Sequence, residues 1–417
     1  MDPSPEAWQR VQRYASWIRQ IRVSRWSGIE EETLRKLRLN SPPGGWFPAL
    51  PDLDWCVATS NLPCIDLFFS PHLKRIHIST IPPWGNLGIP QDVLPAVVST
   101  ISALPTSNLQ SLSVNVDRGD MPWVQFKDSF SSLALRCGSS LTAFISPVPL
   151  SVAAMTHLSQ LPHLRDWRIQ GPPPSNFSSP FPLIFPPLTR LTLGGNAAPG
   201  WLSLFERLEQ GDSTTQRDLT PLSKMKESLR ILIAEALHGG TIIDVPFAFP
   251  IQIFRNLVSL AVESSCCYIG GVGIECAPGY NDDDITELAT APPQLESLFL
   301  GDACFGNTCA TTVACLLSIS VHCVGLRELV IHFNTTNIVN DLKKISEDPQ
   351  FQESPPLPRC TLSSLRTCQI PLIPHVLDIG TVANEMIDIF PSLVCFEGDG
   401  KTWSELSERI EGLREKQ

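Results

Sequence analysis

The sequence predicts a curved α/β solenoid, with short parallel strands on its concave face and helices on its convex face. Three observations support this prediction. A short spacing pattern of apolar residues recurs from one end of the chain to the other. Segments with helical spacing of apolar residues lie between its copies. Proline makes up 38 of the 417 residues, about twice its usual frequency, which indicates regularly placed turns.

The recurring pattern is an apolar residue, two variable residues, a second apolar residue, one variable residue and a third apolar residue. It is typical of leucine-rich repeats, in which the alternation of the last apolar residues indicates a strand. Neighbouring copies begin 23 to 41 residues apart, so many repeats carry inserted loops or long helices. The twelve copies begin at Leu34, Leu73, Leu109, Leu141, Leu164, Leu188, Leu229, Leu257, Leu295, Leu326, Leu365 and Leu393.

The segments between the copies predict helices, because their apolar residues recur every three or four positions. The run Asp282–Asp284 stands before such a segment, where carboxylates favour a helix N-terminus. We expect neighbouring repeats to share a core that no single repeat can close. The clearest helical sets are Val93, Val97, Ile101 and Leu104; Val152, Met155, Leu158 and Leu161; Val313, Leu316, Leu317 and Val321; and Val382, Met386 and Ile389.

The two ends of the chain differ from the repeats and predict caps. Residues 1–33 form a predicted helical cap or linker, with apolar residues from Val11 to Ile21 at helical spacing. Residues 34–400 form the predicted irregular solenoid. Residues 401–417 form a predicted capping helix with apolar residues from Trp403 to Leu413 on one face. Caps are expected because the terminal repeats would otherwise expose the core.

Composition and charge disfavour several classes of partner. The formal net charge of −11 argues against nucleic acid or an anionic membrane, because both present phosphate groups. The chain opens with polar residues, and no apolar stretch approaches the roughly 20 residues that cross a bilayer. We therefore expect a cytoplasmic or nuclear protein that is not secreted and whose 13 cysteines are mostly reduced.

No motif predicts catalysis, a metal site or a bound cofactor. The sequence lacks Cys-x-x-Cys, His-Glu-x-x-His and Gly-x-Ser-x-Gly. The densest cysteine group, Cys304 to Cys323, has spacings that fit no zinc site, so packing in the core is the simpler interpretation. The Gly270–Gly273 stretch lacks the Lys-Ser/Thr of a phosphate loop, which favours a flexible loop. We therefore expect no enzyme activity and no cofactor.

The predicted concave face offers the remaining function, since the variable positions of each strand point outward there. Extended surfaces of this kind bind proteins. The first half of the face is mixed to basic and the later half is more acidic and apolar, so a partner would need the opposite polarity. The alternative interpretation is that these are solvated strand residues without a partner. The candidates are Arg75, His77, Ser111, Asn115, Asp166, Arg168, Arg190, Glu263, Phe299, Glu328 and His332.

The repeats and the first segment together resemble the large fungal group of F-box/leucine-rich-repeat proteins. The likeness rests on the irregular repeats, on proline shortly before several strands, and on the segment Trp8–Arg19 with its Tyr14-Ala15 and Ile18-Arg19 pairs. The resemblance implies a protein-interaction scaffold similar to the substrate-recognition half of a ubiquitin-ligase receptor. In that family the F-box docks on a Skp adaptor and the repeats hold the substrate.

The sequence departs from the family at the F-box. Only ten residues precede Val11, and Leu50-Pro51-Asp52-Leu53 is a poor substitute for the helix that opens an F-box. The F-box is therefore expected to be missing, by loss or by truncation, and the Skp adaptor is a doubtful partner. The alternative function is a stand-alone leucine-rich-repeat regulator that sequesters a protein partner without ubiquitination.

Overall fold

The structure of the protein is a computed structural model that divides into two compact units, Met1–Leu188 and Thr189–Gln417. It describes residues 5–23, 31–42, 45–57, 59–80, 99–100, 102–115, 123–170, 187–194, 228–237, 256–265, 281–290, 294–300, 311–331, 333–334, 338–347, 360–367, 378–398 and 401–415.

The first unit alternates helices with short strands. Its elements are α1 (Pro5–Ala15), β1 (Gln20–Val23), α2 (Glu31–Leu39), β2 (Asp52–Val57), a 3₁₀ helix (Thr59–Phe68), β3 (Arg75–Thr80), β4 (Ser111–Asn115), α3 (Trp123–Arg136), β5 (Ala143–Ile145), α4 (Val152–Ser159) and β6 (Asp166–Gln170). Each strand from β1 to β6 pairs in parallel with the next strand in the chain. The unit is therefore one parallel sheet in chain order.

The second unit follows the same plan. Its elements are β7 (Arg190–Gly194), β8 (Ile231–Leu237), β9 (Ser259–Ser265), α5 (Asp282–Thr290), β10 (Ser297–Leu300), α6 (Ala314–His322), β11 (Glu328–Ile331), α7 (Ile338–Ser346), β12 (Ser364–Thr367), α8 (Ile379–Ile389), β13 (Cys395–Gly398) and α9 (Lys401–Arg414). Its strands also pair in parallel from β7 to β13 in chain order.

The apolar residues of successive strands stack in register and form the core. Leu112 of β4 pairs with Ile76 of β3 and with Phe144 of β5, and all three side chains are buried. In the second unit, Leu298 of β10 pairs with Leu260 of β9 in the same way, and both are buried. Parallel strands in chain order, helices between them and a core shared by neighbouring repeats confirm the predicted α/β leucine-rich-repeat solenoid.

A single carbonyl of one repeat holds the start of the next strand. The N–H groups of Lys74 and Arg75 both donate to the Pro51 carbonyl, at 2.7 and 3.0 Å. Those of Gln110 and Ser111 donate to the Lys74 carbonyl in turn, at 2.7 and 2.9 Å. The same pair of hydrogen bonds to one carbonyl precedes β5, β6 and each strand from β8 to β13. Equivalent positions of successive repeats therefore lie side by side.

The helices pack against their neighbours, as α3 does with α4 and as α5 to α9 do in succession. The predicted apolar faces are buried at Met155 and Leu158 of α4 and at Val382 and Met386 of α8. Of the set from Val93 to Leu104, the three residues Val93, Val97 and Ile101 lie outside the described residues.

Helix α6 buries a face that coincides only in part with the predicted one, since Val313 and Leu316 are buried as predicted. Cys315, Leu316 and Ile319 are buried, whereas Val321 is 39% exposed. The inclusion of Val321 in the buried face was wrong, because an almost wholly apolar segment fits several helical faces equally well.

The first predicted repeat, at Leu34, is not a strand. Leu34, Leu37 and Leu39 lie in α2, where Leu34 is buried and Leu39 is 76% exposed. The spacing from Leu34 to Leu37 also fits one face of a helix, so the pattern alone does not distinguish the two structures. The prediction of a strand here was wrong.

Two strands lie earlier in the chain than the predicted solenoid pattern places them. Ile21 and Val23, which the sequence places in a helical cap, lie in β1 and pair with Leu53 and Trp55 of β2. Leu53 and Trp55 are buried and lie in register with Ile76 and Ile78 of β3. The parallel sheet of the first unit therefore begins at β1.

The repeat at β12 is displaced by three residues from its predicted frame. Leu365 pairs with Leu329 of β11 and Phe396 of β13, so it holds the second apolar position. Leu362 is buried and takes the first position. The predicted partners Cys368 and Ile370 lie outside the described residues.

The last described helix, α9, packs on the final strand. The rings of Phe396 in β13 and Trp403 in α9 stack at 5.1 Å with an interplanar angle of 24°. Trp403, Leu406 and Ile410 are buried. One face of α9 therefore covers apolar surface at the end of the second unit's sheet.

Candidate protein-interaction face

We define the strand face as the side chains at the first, third and fifth positions of the strands. These side chains point away from the buried second and fourth positions, because successive residues of a strand face opposite ways. In β3, Arg75 and His77 are exposed while Ile76 and Ile78 are buried. Strands β4 and β10 show the same alternation. The strand face is thus the surface that the sequence predicts for binding.

Every candidate residue whose side chain the structure describes lies on the strand face with some exposure. The exposed candidates are Arg75, His77, Asn115, Arg190 and Glu328, and the half-buried ones are Ser111, Asp166, Arg168 and Phe299. Residue His332 and the side chain of Glu263 lie outside what the structure describes, although the backbone of Glu263 belongs to β9.

Ion pairs cross the strand face of the first unit between β1 and β2 and between β2 and β3. Arg75 donates Nε and an Nη hydrogen to the two carboxylate oxygens of Asp52, at 2.6 and 2.5 Å. One strand earlier, Arg22 Nε lies 2.9 Å from an Asp54 carboxylate oxygen. The hydrogen bonds from Arg75 hold the pKa of Asp52 below its usual value. These pairs compensate the charge, so the expectation of a mixed to basic first half was incomplete.

Three further members of this face were not predicted from the sequence: Arg22, Asp52 and Asp54. The parallel register sets Asp52 beside Arg75, and Asp54 beside His77. The spacing of Leu50, Leu53 and Trp55 in the sequence was the signal that identifies β2 and, with it, both aspartates.

An apolar row lies on the strand face of the second unit, formed by Ile233, Ala261, Phe299 and Val330 at the third positions of β8 to β11. Ile233 and Phe299 are half-buried, and the smaller Ala261 and Val330 are buried. Only Phe299 was among the candidates, although the other three residues also stand at variable positions of their predicted repeats. The row gives this part of the face an apolar centre.

The described residues hold no constellation of the kind that carries chemistry. No group of three His, Cys, Asp or Glu side chains lies close enough to hold a metal ion within them. Burial raises the pKa of the Cys137 and Cys323 thiols to about 12 and that of Cys360 to about 11, which suits packing and disfavours reactivity. Cys304, Cys309 and the Gly270–Gly273 stretch lie outside the described residues.

The acidic run in the first turn of α5 has a structural role. Asn281 Oδ1 accepts the backbone N–H groups of Asp283 and Asp284, and a carboxylate oxygen of Asp284 accepts the N–H of Asn281 at 2.8 Å. This reciprocal arrangement is a capping box. Asp282 bonds instead to Thr312 of the next repeat.

Among the described helices, none is long and apolar enough to cross a membrane.

The chain resembles known proteins at the level of solved structures. Neither a protein-family model nor a curated protein matches the sequence. The chain is similar to one in the crystal structure of the Rad7 and Elc1 complex in yeast, with 14% identity and a TM-score of 0.36 over 91% of this chain and 80% of that chain. It is also similar to the leucine-rich-repeat-containing protein LegL7 from Legionella pneumophila, with 13% identity and a TM-score of 0.31 over 94% of this chain and 98% of that chain.

Proposed function

We propose that the protein is a protein-interaction scaffold whose strand face binds a protein partner, similar in role to the substrate-recognition half of an F-box ubiquitin-ligase receptor. The observation that carries this proposal is the apolar row, where Phe299 and Ile233 are partly exposed on the outward face of the sheet. A partner that covers Phe299 excludes water from an aromatic ring, and buried aromatic side chains contribute much of the binding energy of protein interfaces.

Polar side chains border the apolar row. Ser259, Ser297, Glu328 and Ser364 hold the first positions of β9 to β12, in register with one another. The Ser297 hydroxyl donates to Glu328 at 3.4 Å. An apolar centre with a polar rim is the usual anatomy of a protein interface. The first unit contributes mainly charged and polar side chains, which favour specificity over affinity.

A binding measurement with a strand-face variant tests this proposal. A partner is first captured by affinity purification of the tagged full chain and is then purified. Phe299→Ala is expected to weaken its binding at least about tenfold, because the variant removes an interface aromatic ring. Val321→Ala changes an exposed apolar residue of α6 and serves as the control, with an expected change below about twofold. Equal affinities for the Phe299→Ala variant and the native chain would contradict the proposal.

The ubiquitin-ligase part of the proposal needs a separate test. The chain is co-expressed with a fungal Skp adaptor and the mixture is separated by gel filtration. Co-elution of the two proteins supports the receptor role. Elution of a folded chain without the adaptor, while it still binds its partner, instead favours the stand-alone regulator that sequesters a protein.

A further inference from the structure

A polar groove of about 450 Å³ lies in the first unit, at the turns that lead into three successive strands. His72 and Lys74 come from the turn before β3, Asn108 and Gln110 from the turn before β4, and Ser140 from the turn before β5. A volume of this size falls within the range of ordinary ligand sites. The groove belongs to the first unit, whereas the residues of the apolar row belong to the second.

Bonds between repeats fix the walls of this groove. Asn108 Nδ2 donates to the Pro71 carbonyl of the preceding repeat at 3.0 Å. Ser140 Oγ donates to the Leu109 carbonyl, again one repeat earlier, at 2.9 Å. Because the backbone of each turn is also hydrogen-bonded to the corresponding turn of the previous repeat, the groove is preorganised and needs little ordering to bind a ligand.

The groove offers hydrogen-bond donors and positive charge. The side chains of Lys74 and His72 are exposed, and neither forms a salt bridge within the described part of the chain. No aspartate or glutamate is among the lining residues. The carboxylate of Asp52 already accepts hydrogen bonds from Arg75 at both oxygens, and these bonds lower its pKa most. The charge of Lys74 adds only a smaller contribution to that lowering. A cation would be repelled here, whereas an anion is attracted.

We propose that this groove binds an oxyanion, a phosphoryl or carboxylate group, carried by a segment of the protein partner. Lys74 supplies a charge-assisted hydrogen bond, and His72, Gln110 and the serine hydroxyls supply further donors. Such bonds are roughly twice as strong as those between neutral groups. The inference rests on the proposed function, since it assigns a chemistry to one part of the partner.

NMR of the full chain with isotopically labelled histidines tests the groove, with inorganic phosphate as the probe. The chain has eight histidines, and the loss of one signal in His72→Gln assigns the His72 ring. Addition of phosphate is expected to shift the His72 signal in a saturable way, while chloride at equal ionic strength does not. Lys74→Gln should weaken phosphate binding about tenfold. Lys127→Gln, which changes an exposed lysine of α3 outside the groove, should leave it unchanged.

Three peptides that differ only in a central phosphoserine, glutamate or serine then identify the source of the oxyanion. A shift with phosphoserine alone assigns a phosphoryl group, and a shift with glutamate as well shows that a carboxylate suffices. The absence of a His72 shift with phosphate, or an equal effect of Lys74→Gln and Lys127→Gln, overturns the inference. Since phosphate binding is measured without the partner, that result leaves the Phe299 test of the proposed function unaffected.

Discussion

Replacing Asp282 with alanine would test how neighbouring repeats are tied together. Asp282 begins α5 and is half-buried. One of its carboxylate oxygens accepts the backbone N–H of Thr312 at 2.7 Å, and the other accepts the Thr312 hydroxyl at 2.6 Å. Thr312 precedes α6 in the next repeat. Alanine at position 282 therefore leaves both donors without this acceptor.

The expected loss of stability follows from the number and type of these bonds. A hydrogen bond to a charged group contributes about 1.5–3 kcal/mol, and water replaces part of that at a half-buried site. We therefore expect Asp282→Ala to lower the free energy of unfolding by about 2–3 kcal/mol. Asp283→Ala removes a charge from the same exposed helix end without breaking the bridge, so it should cost about 0.5 kcal/mol. Asp282→Asn keeps one acceptor oxygen and should lie between the two.

Equilibrium unfolding in urea, followed by circular dichroism, measures these differences. A double-mutant cycle with Thr312→Val isolates the hydroxyl part of the bridge, for which we expect a coupling of about 1 kcal/mol. If Asp282→Ala costs no more than Asp283→Ala, then the carboxylate contributes only its charge at the helix N-terminus. The inference that this side chain joins two repeats would then be wrong.

Three further outcomes follow from the structure. Leu53→Ala should cost about 2–5 kcal/mol in urea unfolding and Leu39→Ala almost nothing, because the first is buried in β2 and the second is exposed on α2; equal costs would contradict the revised start of the repeats. Asp52 has a lowered pKa in the folded state, so its ion pair stabilises the fold above its unfolded pKa of about 3.9 and is lost as pH falls through the folded value. Arg75→Gln should therefore reduce stability at about pH 7 and differ little from the native chain at very low pH, in unfolding measured at both. Alkylation at about pH 8, followed by peptide mapping, should modify the buried thiols of Cys137, Cys323 and Cys360 only after unfolding. Labelling of these three thiols in the native chain would refute their burial.

Local spacing predicted most of the strands from β3 onward, because a repeat places the same residue types at the same strand positions. It failed at α2, where the three leucines fit a helix as well as a strand. It also passed over β2, although Leu50, Leu53 and Trp55 have the spacing of the repeat. At β12, Leu365, Cys368 and Ile370 have the spacing of the repeat, so the sequence predicted a repeat that begins three residues later than it does in the structure.

The strand face shows the same division. Its polar members were predictable, because alternation along a strand sets which side chains point outward. The pairing of Asp52 with Arg75 was not predictable, since the two residues lie 23 positions apart and local spacing does not set the register between their strands. The apolar row was not predicted for another reason: Ala261 and Val330 stand at variable positions of their repeats, but only the register between strands shows that they lie beside Phe299.

The sequence by itself therefore determined the fold class, the approximate positions of most strands and the outward residues on them, since these depend on periodicity within a few residues. The tertiary structure alone decided where the sheet begins, which charges neutralise each other across strands, and how three turns form one polar groove. These features depend on which positions of different repeats lie side by side. When repeats differ in length, the local pattern of each repeat does not specify this register. The hydrogen bonds between neighbouring strands set the register instead.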